Sequence, residues 1–233
     1  VWVEGYHSLG WQASTETIFE SSNRNFLYGS TLLNLHGLYY TTKGGWWEWA
    51  PPCYHFHMPY WAHMPVFLKY FERLSYLLSQ GVHVADVAIV NPHEPLVADP
   101  ARGKVSLQTA HAVGADLVNS CQTDFDFIDA DSLACAEAKD GLLSVAGEAY
   151  RTLVFPSMFA IRHASLEKAL AFRRAGGKVV ALGDLPETTD LAGAGDPRTA
   201  ALVKELFSPG PSALHWTGAS AVSDSVPPRT YAG

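Results

Sequence analysis

The sequence predicts an α/β protein in which two βα units precede an open parallel sheet of flavodoxin-like type. Three observations carry this expectation. Short apolar runs alternate with amphipathic stretches of helical period. Several runs, "VADVAIV" above all, are almost continuously apolar, as in parallel strands covered on both faces. The aromatic content is also lopsided. Six of the seven Trp lie within the first 61 residues and eight of the ten Tyr within the first 76, while the rest is rich in Ala, Val, Leu, Asp and Gly, so the chain reads as two regions.

In the first region, "VWVEG" is a β-branched and aromatic run ending in Gly, a strand that leads into a loop. Residues 15 to 29 follow a helical pattern through Ile18, Phe19, Phe26 and Leu27, with Gly29 at the stop. "STLLNLHG" reads as a short buried strand. A long loop rich in Trp, Tyr, His and Pro follows, and then "VFLKYFERLSYLLSQG", an amphipathic helix closed by Gly81. The second region reads as a strand at "VADVAIV", a helix around 104 to 120 and a strand at "FDFID". Asp-Gly in "AEAKDGLLSV" signals a hairpin. "TLVFP" and "KVVALG" are strands, "SLEKALAFRRAGG" and "PRTAALVKELF" helices. The boundaries are 1–82, 83–210 and a tail at 211–233, where Pro, Ser and Gly replace periodicity.

The chain has 233 residues, 48% hydrophobic and 17% charged, which suits one large domain or two small ones. A net charge of −7 argues against nucleic acid and anionic membranes as partners. No apolar run reaches the ~18–20 residues of a membrane span. The start has no initiator Met and no signal-peptide pattern, so it reads as a cut inside a longer protein. Cys53, Cys121 and Cys135 are odd in number and unpatterned, hence buried or free thiols.

Glu4 sits at the carboxyl end of the first strand, before Gly5 and beside Tyr6, His7 and Trp11. In a (β/α) barrel those strand ends hold the catalytic groups, so Glu4 is either a general base or nucleophile, or an ordinary surface glutamate. His36 occupies the corresponding position one βα unit later; it is a site residue or a satisfied core histidine. The loop adds Trp46, Trp47, Trp49, Tyr54, Tyr60 and Trp61. Flat aromatic rings cover the apolar faces of sugars while His, Glu and Asn bond the hydroxyls. The plainer alternative is an aromatic plug. His55, His57 and His63 form H-x-H plus a further His, a weak metal-ligand pattern. Ser157 follows a strand but lacks the glycines of a nucleophile elbow. Asp86, Asp126 and Asp129 read as turn and strand-end groups. There is no P-loop and no GxGxxG.

"SSNRNFLYGSTLLNLHGLYYTTKGG", "PPCYHFHMPYW" and "FLKYFERLSYLLSQGVHVADVAIVNPHEP" resemble the late barrel segment of large bacterial glycoside hydrolases, in particular the α-L-rhamnosidase-like proteins of family 106. "DFDFIDADSL", "AKDGLLSVAGEAYRTLVFPSM" and their surroundings are similar to the domain after that barrel, which resembles the β-galactosidase trimerisation domain. The likeness spans roughly positions 3 to 207. It implies a partial (β/α) barrel segment followed by the flavodoxin-like sheet, and makes Glu4 the matching strand-end glutamate. It implies a carbohydrate substrate, and the strand-end and loop residues His7, Trp11, His36, Trp46, Trp47, Tyr54, His55, His57 and Trp61 are the expected binding surface for it. It also implies inversion with Ca2+ assistance, a general acid upstream of Val1 with Glu48 the only carboxyl in the loop, and a secreted or periplasmic site. Two βα units leave strand edges unpaired, so a homo-oligomer is expected if nothing else covers them.

Overall fold

The computed structural model describes residues 1–6, 8–38 and 52–216. The chain divides into two compact units, Val1–Val82 and His83–Gly233.

The first unit opens with strand β1 (Trp2–Gly5), helix α1 (Thr15–Leu27) and strand β2 (Leu32–Leu35). The two strands pair in parallel, with Glu4 opposite Asn34 and Gly5 opposite Leu35. Ser14 caps α1, its hydroxyl accepting from the Thr17 amide at 3.3 Å. A 3₁₀ turn at Trp61–His63 runs into helix α2 (Met64–Leu78), which has Pro in its first turn, where its missing N–H costs nothing. Phe19 of α1 meets Phe67 of α2 at 4.4 Å between ring centres, and Phe26, Phe71, Leu33 and Leu35 complete the core. "STLLNLHG" is therefore not the buried strand the sequence suggests. Only one face of β2 is covered, and Leu32 is 56% exposed.

The second unit begins with strand β3 (Val87–Val90), helices α3 (His93–Ala98) and α4 (Pro100–Asn119), and strand β4 (Phe125–Ile128). Helix α5 (Ala130–Cys135) precedes an antiparallel meander, β5 (Glu137–Lys139), β6 (Leu142–Val145) and β7 (Glu148–Tyr150). Asp140 and Gly141 have φ of 51° and 75° at the β5–β6 turn, the left-handed pair a tight hairpin requires. Then come β8 (Thr152–Pro156), β9 (Ala160–Ile161), α6 (His163–Arg174), β10 (Lys178–Leu182), β11 (Thr188–Thr189), α7 (Pro197–Leu206) and β12 (Ala213–Trp216).

Strands β12, β10, β8, β3 and β4 form one sheet in that spatial order, every recorded pair parallel. Counting these five in chain order gives 2-1-3-4-5, the flavodoxin-like arrangement. Period-two alternation splits its core between two faces. Val87, Ile89, Val154 and Val180 face Ala110, Val113 and Leu117 of α4. Ala88, Val90, Phe155 and Ala181 face Leu133, Leu143, Leu166, Phe172 and Leu206. Each large side chain buried here contributes roughly 1.5–3 kcal/mol.

The second unit departs from expectation as well. The helix expected around 104–120 starts earlier, because Asp99 caps it and accepts from the Ala101 and Arg102 amides. The strand β7 and the short helix α3 carry too few residues to show a period. Residues expected as tail include β12, an edge strand that needs only one hydrogen-bonded neighbour, β10. Residues 217–233 lie outside the described residues.

Candidate active site

The parallel pair β1–β2 sets the site. Leu33 and Leu35 turn to the core, and a side chain at Gly5 would meet Val3 and the Asn25 amide of α1. Alternation then places Trp2 and Glu4, with Leu32 and Asn34, on the face away from the helices. Both polar residues sit near the carboxyl ends of their strands, on adjacent strands about 4.8 Å apart. Both are exposed. A carboxylate beside a carboxamide offers a proton acceptor next to a hydroxyl-binding group. Below them, Trp2 is 63% exposed, an apolar surface that a larger parallel sheet would cover.

The segments that follow the strands converge. The His36 amide donates to the Gly5 carbonyl at 3.0 Å. The Tyr54 amide donates to the Gly37 carbonyl at 3.0 Å, and its hydroxyl donates to the Tyr6 carbonyl at 3.2 Å. Tyr54 thus ties the end of the aromatic loop to the carboxyl ends of both strands. Tyr6 is buried with φ 78°, its hydroxyl 2.8 Å from that of Ser22. Burial raises its pKa, against hydrogen bonds from Ser22 and Asn25. Burial, with the Cys53 charge, pushes Tyr60 up to about 12.

His55 is buried, and its Nδ1 accepts from the His57 amide at 3.0 Å. Burial and the charge of His57 lower its pKa. His57 and His63 are exposed, as are Trp61 and Trp11. Among the described residues, His55, His57 and His63 are not gathered into a three-donor metal group; His83, Asp126 and Glu148 in the second unit are. His7, Trp46, Trp47, Trp49 and Glu48 lie outside the described residues. Sequence reasoning named Tyr6 only as a neighbour of Glu4 and overlooked Asn34. The signal for Asn34 was present: it is the one polar residue inside "LLNL", two positions before His36 and two after Leu32.

The ligand crevice of a doubly wound sheet lies outside the carboxyl ends, where strand order reverses, here between β3 and β8. It is bridged. Arg162 Nε donates to Glu94 at 3.2 Å and Nη1 to Asp131 at 2.5 Å. Arg102 pairs with Glu187 at 2.6 Å and Asp184 at 3.1 Å, over the Phe159 ring. Ser157 has φ 51°, and its Oγ accepts from the Asp184 amide at 3.2 Å. Among the described residues, no imidazole bonds that hydroxyl. Asp129 caps α5 through the Ser132 amide, while Asp86 precedes β3 beside Arg151 at 3.8 Å.

With strand-end polar groups, an aromatic surround and a doubly wound second unit in place, comparison supplies the class. The chain is an α/β protein of glycoside hydrolase type. It belongs to glycoside hydrolase family 106, alpha-L-rhamnosidase, whose family model matches residues 53–227, more than half of its length. Glu4, Asn34 and His36 precede the matched segment. No curated protein and no solved structure is significantly similar to the chain.

Proposed function

We propose that the first unit supplies two consecutive βα units of a (β/α) barrel in an α-L-rhamnoside hydrolase, with Glu4 as general base. The observation that carries this is the pairing of Glu4 with Asn34 near the carboxyl ends of two parallel strands, on the face their helices leave open. That face is the lumen side of a barrel, and that end is where barrels hold their catalysis. In an inverting reaction Glu4 takes a proton from water as the oxygen attacks the anomeric carbon. A second carboxylic acid ~6.5–9.5 Å away protonates the departing oxygen. Asn34 and His36 bond sugar hydroxyls, and the exposed Trp11 and Trp61 bury the apolar ring face. Tyr54, expected as a ring-face residue, is buried in the core and holds the strand ends instead. His7, Trp46, Trp47 and His57 extend the same surface, and His55 supports it from below. Among the described residues no group of three His, Cys or carboxylate donors gathers round Glu4.

The test is hydrolysis of an aryl α-L-rhamnoside by the protein as its gene encodes it. Glu4→Gln is expected to lower kcat roughly a hundred- to ten-thousandfold with KM little changed. Unchanged turnover would remove Glu4 from the mechanism.

A second reading concerns the second unit. Its bridged crevice and occupied Ser157 hydroxyl favour a non-catalytic assembly role, in which copies of this chain associate. Light scattering after size exclusion checks it, and a monomer at all concentrations would overturn it.

A further inference from the structure

Four side chains outside the proposed active site meet in the second unit. His83 lies before β3, Asp124 before β4, Asp126 within β4 and Glu148 within β7. His83 Nε2 is 2.9 Å from Asp124 Oδ2. With that nitrogen's proton on Asp124, the Nδ1 lone pair points to the other side. There it lies 3.4 Å from Glu148 Oε1 and 3.6 Å from Asp126 Oδ2. Neither oxygen makes a hydrogen bond with Nδ1, and one ligand atom from each residue lies within 4.8 Å of the others. Donors on a tetrahedral Zn2+, at about 2.0–2.2 Å from the ion, stand about 3.3 Å apart. The two separations from Nδ1 are close to that spacing. The Tyr150 hydroxyl donates to Asp126 at 3.0 Å and orients it. Among the described residues, no Lys or Arg pairs with Asp124, Asp126 or Glu148, and His83 is their shared ion-pair partner.

We propose that His83, Asp126 and Glu148 form a binding site for a first-row divalent cation, Zn2+ foremost, with Asp124 orienting the imidazole and water completing the coordination. A carboxylate–histidine–metal relay is the usual way a protein fixes a ligating imidazole. One nitrogen and two oxygens suit Zn2+ or Mn2+. The nitrogen makes Ca2+, which takes oxygen ligands, the wrong ion. The site joins the meander, through β7, to the edge strand β4, so the expected role is a staple on an open sheet edge. The rival occupant is a proton. Burial opposes it, but the Asp124 hydrogen bond and the charges of Asp126, Asp124 and Glu148 outweigh that and raise the His83 pKa.

The experiment loads chelator-stripped protein with Co2+, Zn2+ or Ca2+. One equivalent of Co2+ is expected to give the intense visible bands of a tetrahedral site, and excess Zn2+ to abolish them. Ca2+ should not. His83→Ala and Glu148→Gln are each expected to remove the bands, and Asp124→Asn to weaken affinity roughly ten- to a hundredfold. Far-UV circular dichroism checks the fold of each variant, and if His83→Ala does not fold, Glu148→Gln decides. Weak octahedral bands only, or binding that survives Glu148→Gln, would overturn the assignment.

Discussion

At Tyr6 and His55 single buried side chains carry separable contributions to the first unit. The Tyr6 hydroxyl is buried against Ser22, and the Ser22 hydroxyl also donates to the Ile18 carbonyl at 2.6 Å. Tyr6→Phe leaves that pair one partner short. The expected loss is about 1 kcal/mol, read from urea unfolding. His55 behaves differently because it resists protonation. Its folded-state pKa lies below the unfolded value, so as pH falls the unfolded chain takes up the proton first. The contribution of His55 is whole above about pH 6.5 and declines as pH falls from there towards the folded-state pKa. The urea midpoint of the first unit should therefore drop between about pH 8 and about pH 5, a slope that His55→Phe should flatten. A midpoint that rises as pH falls would contradict the assignment.

At the scale of elements, α4 shows how a cap and a glycine have separate roles. The Asp99 side chain accepts two amides at its start, so Asp99→Ala should cost about 1 kcal/mol. Gly103 lies one turn further on, where α4 crosses α3. A Cβ there would stand 2.5 Å from the Leu96 Cα, a backbone atom that cannot swing aside. Alanine favours a helix by ~1 kcal/mol over glycine, yet overpacking costs typically 1–3 kcal/mol and more against backbone. Gly103→Ala should therefore be net destabilising, seen as a lower thermal midpoint. A stabilised variant would mean that α3 moves freely. The αL pair at Asp140–Gly141 was legible from Asp-Gly alone, since few dipeptides accept that turn. The bridges made by Arg162 and Arg102 were not, since their partners lie between 31 and 85 residues away.

Over the whole molecule, each unit has its own core. Phe19, Phe26, Phe67 and Phe71 belong to one, and Phe155, Phe172 and Leu206 to the other. Six of the seven Trp lie in the first unit, so Trp fluorescence reports that unit while far-UV circular dichroism is weighted to the second. The first unit leaves an apolar strand face open, with Trp2 and Leu32 exposed. Urea should then give two transitions, fluorescence changing at the lower concentration. Coincident midpoints would show that the units unfold as one. The exposed face also argues for cover in the working protein, whether by further strands or by a second copy.

The sequence by itself determined the α/β class, most of the strands and helices, and the family. Hydrophobic period, caps and turn dipeptides are local signals, and a family likeness is spread along the chain. Glu4 and His36 were legible as strand-end residues because a strand's end is a local property. Only the tertiary structure decided which residues stand beside them. Asn34 opposite Glu4 follows from register. Tyr54 reaching both strand ends, the bridged crevice, and His83 among three carboxylates all follow from segments distant in sequence being folded together. Side-chain chemistry is written residue by residue, whereas proximity across tens of residues is set by which faces the strands and helices bury against one another.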